Sequence, residues 1–204
     1  MKIKICGITD RSDALEAASL GADILGFVFY PESKRHIEPY RAASIIRTLP
    51  ASTGKAGVFV DEPADVVRET AVSCGLDVLQ FHGSETSGYC GSFRQDYRVI
   101  KAFRIRSKKD LSPINGYDAD YYLLDTYVSG SAGGTGVAFD WKILKDFEFL
   151  KPVILSGGLT PENVAAAIRE VSPYGVDVST GVEKSPGKKD HELMKRFIEE
   201  ARKA

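Results

Sequence analysis

The sequence has too few cysteines for a disulfide framework or a cysteine-rich metal site. Only three occur among 204 residues, Cys6, Cys74 and Cys90, and no two of them form a Cys-x-x-Cys pair. Their positions relative to the three histidines do not give the spacing of a zinc site. An odd number of cysteines also argues against a secreted scaffold held by disulfides. We therefore expect a protein of a reducing compartment.

The chain also has little net charge and no long apolar run. The 27 basic and 28 acidic residues leave a formal net charge of -1, and no basic stripe stands out. This composition gives no support for a nucleic-acid partner or an anionic membrane partner. No apolar run approaches the ~20 residues that span a bilayer, and Lys2 and Lys4 interrupt the apolar core that a signal peptide needs. We expect a soluble cytoplasmic protein.

The chain does contain a regular alternation of short apolar runs and helical patterns. Hydrophobic residues make up 43% of it, which is enough for a full core. The eight predicted strands are residues 3–6, 24–29, 56–60, 78–81, 99–102, 122–125, 153–156 and 176–179. The predicted helices include residues 12–20, 40–48, 64–74, 141–147, 161–171 and 191–203.

This alternation predicts an α/β fold with a parallel sheet. Near-continuous apolar strands are typical of parallel strands that helices cover. Eight units of about 25 residues each predict a single (β/α)8 TIM barrel over residues 1–204, which is small for that fold. The fifth unit is the weakest, because residues 107–116 contain little helical pattern. An open doubly wound sheet is the alternative, although no G-x-G-x-x-G follows any strand.

In a barrel of this kind the active site lies at the C-terminal ends of the strands. Strands 7 and 8 end in small, glycine-rich turns at Gly157-Gly158 and Ser179-Thr180-Gly181. Such turns leave backbone N–H groups open to a ligand, and a following helix N-terminus would add partial positive charge. We predict a phosphate site here; two ordinary strand-to-helix turns are the alternative.

Two further strand ends carry side chains of types that can transfer protons. Cys6 ends the first strand, where it is either a small buried residue or a reactive base or nucleophile. Asp125 ends an apolar strand and is a candidate general acid, with a capping or ion-paired Asp as the alternative. The loop 126–136 that follows contains Gly133 and Gly134, a composition typical of a mobile lid or of a plain flexible loop.

Arg35 and His82 complete the set of candidates. The guanidinium fork of Arg35 matches a substrate carboxylate, although a surface arginine is the alternative. His82 would orient the ligand or tune Cys6, or it is a structural histidine. Cys74 and Cys90 lie in or beside helical patterns, and we expect both to serve packing.

Nine segments in register resemble the phosphoribosylanthranilate isomerase family, a family of (β/α)8 enzymes of tryptophan biosynthesis. They are KICGIT at 4–9, GFVFYPESKRHI at 26–37, GVFVD at 57–61, LQFHG at 79–83, LLDT at 123–126, GGTG at 133–136, LSGGL at 155–159, GVDVSTGVE at 175–183 and PGKKD at 186–190. KICG and VDVSTGVE are fairly specific, and the nine together are very specific. Phe81 stands where we expect an aliphatic residue, a difference that should affect packing only.

The resemblance implies an Amadori rearrangement of N-(5'-phosphoribosyl)anthranilate to 1-(2-carboxyphenylamino)-1-deoxyribulose 5-phosphate. It makes Cys6 the general base, Asp125 the general acid, Arg35 the partner of the anthranilate carboxylate and the two glycine-rich turns the phosphate site. The substrate nitrogen supplies the electron sink, so the resemblance implies no metal, flavin or pyridoxal. A base at Cys6 also requires an environment that favours the thiolate.

Other functions stay open at this stage. A related phosphate-binding barrel would catalyse the analogous isomerisation in histidine biosynthesis, for which we expect an Asp in place of Cys6. The indole-forming synthase of the tryptophan pathway relies on a lysine and a glutamate that we do not find at the strand ends. A barrel that only senses a phosphorylated metabolite would need neither Cys6 nor Asp125. The chain is expected to be a monomer or a homodimer.

Overall fold

Eight parallel strands close into a barrel in sequence order. The structure, a computed structural model, describes residues 1–126 and 140–204. The strands are β1 Lys2–Cys6, β2 Ile24–Val28, β3 Gly54–Phe59, β4 Val78–Phe81, β5 Arg98–Ile105, β6 Tyr121–Thr126, β7 Val153–Leu155 and β8 Gly175–Val178. Each pairs with the next, and β8 pairs back onto β1. The predicted (β/α)8 barrel is therefore confirmed, and the open sheet is not formed.

Helices follow most of the strands on the outside of the barrel. The α-helices are α1 Arg11–Ser19, α2 Pro39–Ile46, α3 Ala64–Cys74, α4 Ser87–Gly91, α5 Val164–Val171 and α6 His191–Lys203. A short hairpin of β9 Glu183–Ser185 and β10 Lys188–Lys189 precedes α6. The sequence patterns do not predict α4 or the hairpin. None of the described helices has the length and apolarity to cross a membrane.

The weak fifth unit predicted from the sequence is confirmed. Its connection from β5 to β6 consists of two short 3-10 helices, Lys108–Leu111 and Ile114–Gly116. The α-helix predicted over residues 141–147 is wrong, because only a 3-10 helix, Trp141–Leu144, forms there. After it the backbone is extended at Lys145 and left-handed at Asp146, so the helical hydrogen-bond ladder cannot continue.

The helix predicted from residue 161 begins one turn later, at Val164. Asn163 explains the delay, because its side chain bonds to the backbone on the N-terminal side. Its Oδ1 accepts from Thr160 N at 2.8 Å, and its Nδ2 donates to Gly158 O at 2.9 Å. These local bonds stabilise a turn instead of a helical start, and they tie the loop after β7 to α5.

Two separate apolar clusters form the core of the described part of the chain. The larger one lies between the strands and the helices, and it includes an aromatic group around Phe81, whose ring centroid lies 5.1 Å from that of Phe93 and 5.2 Å from that of Tyr89. Phe81 is fully buried, so the core packing accommodates an aromatic ring where an aliphatic residue is expected. The smaller cluster fills the barrel interior with strand residues alone: Ala56, Val78, Ile100, Ala102, Leu123 and Ile154.

Candidate active site

Cys6 ends β1 with its side chain directed into the barrel, and it is only 8% exposed. Gly26 on β2 is its register partner, and a Cβ added there would lie 2.8 Å from Cys6 Sγ. The missing side chain on β2 therefore provides the space that the sulfur occupies. Gly7, the next residue, has its Cα beside Arg35 and Ser179, since an added Cβ would lie 2.9 Å from Arg35 Cγ and from Ser179 Oγ.

The charges around Cys6 have opposing effects on the pKa of its thiol. Burial has the largest effect and raises this pKa, and the carboxylate of Asp177 adds to the increase. The ammonium groups of Lys4 and Lys189 oppose it. The net pKa lies above the ordinary value of a cysteine, which is opposite in direction to the expected environment that favours the thiolate.

Asp125 ends the interior face of β6 and is 6% exposed. Its Oδ1 accepts from the backbone N–H of Thr126 at 2.8 Å. Its Oδ2 lies 3.2 Å from His82 Nε2, although Nε2 makes no hydrogen bond of good geometry within the described residues. His82 thus adjoins the carboxylate of Asp125, while the charged groups with the strongest effects on Cys6 are Lys4, Asp177 and Lys189.

The tautomer of His82 follows from its second neighbour. The amide nitrogen of Gln80 lies 3.1 Å from His82 Nδ1. Because an amide nitrogen only donates, a hydrogen bond from Gln80 makes Nδ1 the acceptor and leaves the ring proton on Nε2. This proton is on the side of the ring that faces Asp125.

The loop after β7 contacts the end of β6. Gly157 and Gly158 both have positive φ, +83° and +65°, which favours glycine. A Cβ at Gly157 would meet the backbone N and the Oγ1 of Thr126, and it would lie 2.7 Å from Asp125 Oδ1. For neither glycine N–H does the structure give an acceptor among residues 1–126 and 140–204. These two donors remain open to an anion beside Asp125.

The loop after β8 packs against the loop after β7. A Cβ at Gly181 would overlap Leu159 O, so the two loops touch through backbone. A 3-10 helix of three residues, Thr180–Val182, follows β8, and α5 begins only at Val164. The helix N-terminus that we expect behind Gly157-Gly158 is therefore absent from that position. A phosphate there would be held by loop N–H groups.

Arg35 lies between this loop and the β9–β10 hairpin. Its NH2 donates to Thr180 Oγ1 at 3.3 Å and to Glu183 Oε2 at 2.7 Å. Glu183 is 3% exposed in its side chain and also accepts from Lys189 Nζ at 2.9 Å. Burial raises the pKa of Glu183, but Arg35 and Lys189 outweigh it and hold that pKa below its ordinary value.

The described candidates from the sequence therefore meet at one end of the barrel. Contacts through Gly7, Gly157 and Gly181 join the groups around Cys6, Asp125 and Arg35 into one site. Gly133 and Gly134, predicted as part of a lid, lie outside the described residues. Cys74 and Cys90 are buried away from this site, as expected for packing residues, and burial raises the pKa of Cys90 to about 11. No cluster of three or more His, Cys, Asp or Glu side chains that could hold a metal ion occurs in the described parts of the chain.

Four residues of the site were not predicted as site residues from the sequence: Lys4, Asp177, Glu183 and Lys189. The sequence contains a signal that places Lys4 and Asp177 beside Cys6. Lys4 precedes Cys6 by two positions on a strand and therefore shares its face. Asp177 stands at the equivalent depth on β8, as the register partner of Lys4. Glu183 and Lys189 depend on the hairpin after β8, which no periodicity indicates.

The family follows from sequence and structure together. A family model described as N-(5'phosphoribosyl)anthranilate (PRA) isomerase matches residues 3–200. The chain is 50% identical over 202 residues to N-(5'-phosphoribosyl)anthranilate isomerase of Geobacter sp. (strain M21), which covers 99% of this chain and 98% of the relative.

Solved structures agree over the whole length of the chain. A phosphoribosyl anthranilate isomerase in complex with reduced 1-(o-carboxyphenylamino)-1-deoxyribulose 5-phosphate superposes with a TM-score of 0.89 at 39% identity, covering 100% of both chains. Monomers generated from the dimeric isomerase of Thermotoga maritima give a TM-score of 0.91 at 40% identity, again over 100% of both chains. The chain belongs to the N-(5'-phosphoribosyl)anthranilate isomerase family.

Proposed function

We propose that the protein catalyses the Amadori rearrangement of N-(5'-phosphoribosyl)anthranilate to 1-(2-carboxyphenylamino)-1-deoxyribulose 5-phosphate, the third step of tryptophan synthesis from chorismate. The observation that carries the proposal is a thiol and a carboxyl group at one barrel mouth, in a chain that is 50% identical to an isomerase of this name over 99% of its length. The reaction is an internal aldose–ketose isomerisation, and general acid and base groups are sufficient for it.

In the first step Asp125 acts as the general acid. It gives a proton to the furanose ring oxygen, the bond from C1 to that oxygen breaks, and the lone pair of the anthranilate nitrogen forms a C1=N bond. The position of Asp125 suits this role, because one oxygen is held by Thr126 N and the other faces His82 and the barrel mouth. Its burial keeps water from competing for the proton.

In the second step Cys6 acts as the general base. Its thiolate removes the proton on sugar C2, and the electron pair of that C–H bond moves to the cationic nitrogen and gives an enolamine. Tautomerisation of the enolamine gives the aminoketose. Cys6 and Asp125 open onto one site, because Gly7 lies beside Ser179, Gly181 lies against Leu159 and Gly157 lies beside Asp125, which links the ends of β1, β8, β7 and β6. The substrate nitrogen accepts the electrons, so the chemistry requires no cofactor.

Two anionic groups of the substrate have matching partners. The N–H groups of Gly157 and Gly158 are available to the phosphate. Gly181, which has no side chain, lies next to them in the turn after β8. Ser179 and Thr180 belong to the same turn and form the adjoining side of the proposed phosphate site. Arg35 is the partner of the anthranilate carboxylate: Glu183 holds its Nε and NH2, and NH1 has no acceptor within the described residues.

Cellular context is part of the proposal. We place the reaction in the cytoplasm, where a free thiol base stays reduced. We infer that the active unit is a monomer or a homodimer. The only partner required is the small-molecule substrate.

A direct assay tests the proposal. N-(5'-phosphoribosyl)anthranilate is generated in situ, purified protein is added, and the loss of anthranilate-type fluorescence is followed. Wild-type protein should consume the substrate quickly, and Cys6→Ala should reduce turnover by orders of magnitude. Cys90→Ala is the matched control, since Cys90 is equally a buried thiol but lies among the aromatic residues outside the barrel. It should retain turnover.

Two results would count against the proposal. If neither wild type nor control consumes the substrate, the chain is a phosphate-binding barrel with another substrate, and the aminoaldose of histidine biosynthesis is tested next. Near-normal turnover in Cys6→Ala would instead remove Cys6 from the mechanism while leaving the reaction in place.

A further inference from the structure

A buried lysine lies directly beneath the proposed base. Lys4 precedes Cys6 by two residues on β1, and its side chain is 1% exposed. A Cβ added at Gly26 would lie 2.8 Å from Cys6 Sγ and 3.0 Å from Lys4 Nζ. The ammonium and the sulfur therefore share the space that the absent side chain of Gly26 leaves, and the charge of Lys4 acts at short range on Cys6.

Lys4 is held in place by a second buried group. Its Nζ donates to Asp177 Oδ1 at 2.8 Å, and Asp177 Oδ2 accepts from Ser156 Oγ at 3.0 Å. All three side chains are buried. Taking a charge out of water is costly unless it is paired and hydrogen-bonded, and Asp177 provides both for Lys4. Burial lowers the pKa of Lys4, but Asp177 and Cys6 outweigh it, so this pKa lies above the ordinary value and the ammonium persists.

The charges that face Cys6 come from three elements. They are Lys4 on β1, Asp177 on β8 and Lys189 on β10. Lys189 Nζ donates to Glu183 Oε1, and Arg35 NH2 donates to Glu183 Oε2, so a chain of ion pairs connects Lys189 to Arg35. The cluster therefore holds three cationic groups and two carboxylates, and a thiolate at Cys6 would make it neutral. Among the residues that act on the pKa of Cys6, Lys4 has the largest effect, and its positive charge lowers that pKa.

We propose that Lys4 is the positioning residue of the Cys6 base: its buried ammonium donates to the sulfur and stabilises the thiolate that accepts the C2 proton. The part of this inference in which the thiolate accepts the C2 proton rests on the proposed function. In the step itself the S–H bond forms as the C2–H bond breaks, and Lys4 keeps its own protons throughout. Asp177 fixes the ammonium at the sulfur.

The test measures the Cys6 thiolate without substrate. The ultraviolet absorbance of the thiolate is followed against pH in wild type and in Lys4→Met, each corrected with its Cys6→Ser counterpart. The midpoint in Lys4→Met should rise by about one pH unit or more. Turnover near neutral pH should fall by about tenfold or more, and the loss should shrink as pH rises. An unchanged midpoint would overturn the proposal.

Two further variants separate electrostatics from structure. Lys101→Met is the matched control, because Lys101 is equally buried and pairs with Glu85 at 2.7 Å, while its charge is not among those that act on Cys6. It should lower stability and leave the midpoint unchanged. If Lys4→Met does not fold because Asp177 is left unpaired, Lys4→Met with Asp177→Asn removes both charges. Its midpoint should still lie above that of wild type, and a wild-type midpoint in this double variant would refute the role of Lys4.

The thiolate titration also separates this inference from the proposed function. A midpoint that moves as expected in a protein without isomerase activity would leave Lys4 acting on Cys6 and would contradict only the proposed reaction. Full isomerase activity with an unmoved midpoint would contradict only the role of Lys4.

Discussion

The guanidinium of Arg35 and the carboxylate of Glu183 form a two-pronged ion pair inside the barrel mouth. Arg35 Nε donates to Glu183 Oε1 at 3.1 Å, and NH2 donates to Oε2 at 2.7 Å. The arginine side chain is 14% exposed and the glutamate 3%. Because Glu183 is itself held by Lys189, the orientation of the arginine is set before any ligand arrives. Under the proposed function a substrate carboxylate would meet a preformed partner and would lose little entropy in ordering it.

Replacing Arg35 with lysine should therefore weaken substrate binding more than turnover. A lysine keeps the charge but cannot span Glu183 and a substrate carboxylate with one planar group. We expect the Michaelis constant to rise by about tenfold or more, in line with the loss of a charge-assisted hydrogen bond. Steady-state kinetics measure this. Arg41→Lys, an exposed arginine on α2, is the control, and an unchanged constant in Arg35→Lys would refute the contact.

Asp125→Asn should abolish most turnover while binding survives. The amide keeps the size of the carboxylate and can still accept from Thr126 N, so the local structure should persist. It cannot deliver a proton, and general acid catalysis is worth roughly 10²–10⁴-fold in rate. Single-turnover kinetics and calorimetry with a product analogue measure the two effects separately. Asp65→Asn on the exposed side of α3 should behave as wild type. Substantial turnover in Asp125→Asn would assign the acid to another group.

Gly157→Ala should weaken phosphate binding beyond any effect on folding. The methyl group would meet Thr126 and approach Asp125 Oδ1 to 2.7 Å, so the loop after β7 must shift. Gly75→Ala is matched to it, since Gly75 has a similar φ of +70° but nothing within 4 Å of an added Cβ. Both variants should lose roughly 1–2 kcal/mol of stability from the left-handed backbone, and Gly157→Ala should lose more because its methyl group also meets Thr126. Only Gly157→Ala should reduce the inhibition of turnover by inorganic phosphate; an equal reduction in both would contradict the phosphate site.

The barrel could be predicted because its signal is local and repeated. Each strand is a short apolar run, and eight such runs in a chain of this length allow few other closures. The connection after β6 could not be predicted well, because Trp141, Ile143 and Phe147 give an apolar pattern that a 3-10 turn satisfies equally. In the structure the backbone leaves the helical conformation at Lys145 and Asp146, and the rings of Phe147 and Phe149 pack against each other with their centroids 4.7 Å apart.

The site could be predicted in outline and not in its electrostatics. Strand ends converge in any barrel, so Cys6 and Asp125 could be placed on one face from their positions alone. The balance of effects on the pKa of the thiol could not, because it depends on burial and, besides the neighbouring Lys4, on Asp177 and Lys189, which lie more than 170 positions away in sequence. Only the closure of β8 onto β1 and the hairpin after it bring these charges to Cys6.

Asp120 should make the stability of the fold depend on pH in the acid range. Its carboxylate accepts from Arg94 NH2 and from Val99 N, both at 2.9 Å, and so joins the connection before β6 to the start of β5. Burial raises the pKa of Asp120, but these partners outweigh it, so the pKa lies below the ordinary value. A carboxyl group with a lowered pKa contributes stability above its unfolded pKa of about 3.9, and that contribution is lost as pH falls through the lower folded value.

Asp120→Asn should remove this dependence. The variant should lose roughly 1–3 kcal/mol of unfolding free energy at neutral pH, because Arg94 loses its charged partner. The difference from wild type should then shrink as pH falls below about 4, since the wild-type carboxylate becomes protonated there. Urea unfolding at a series of pH values measures this, with Asp96→Asn, whose side chain is 58% exposed, as the control. A constant difference between Asp120→Asn and wild type down to the acid transition would mean that the ion pair contributes nothing through the charge of Asp120.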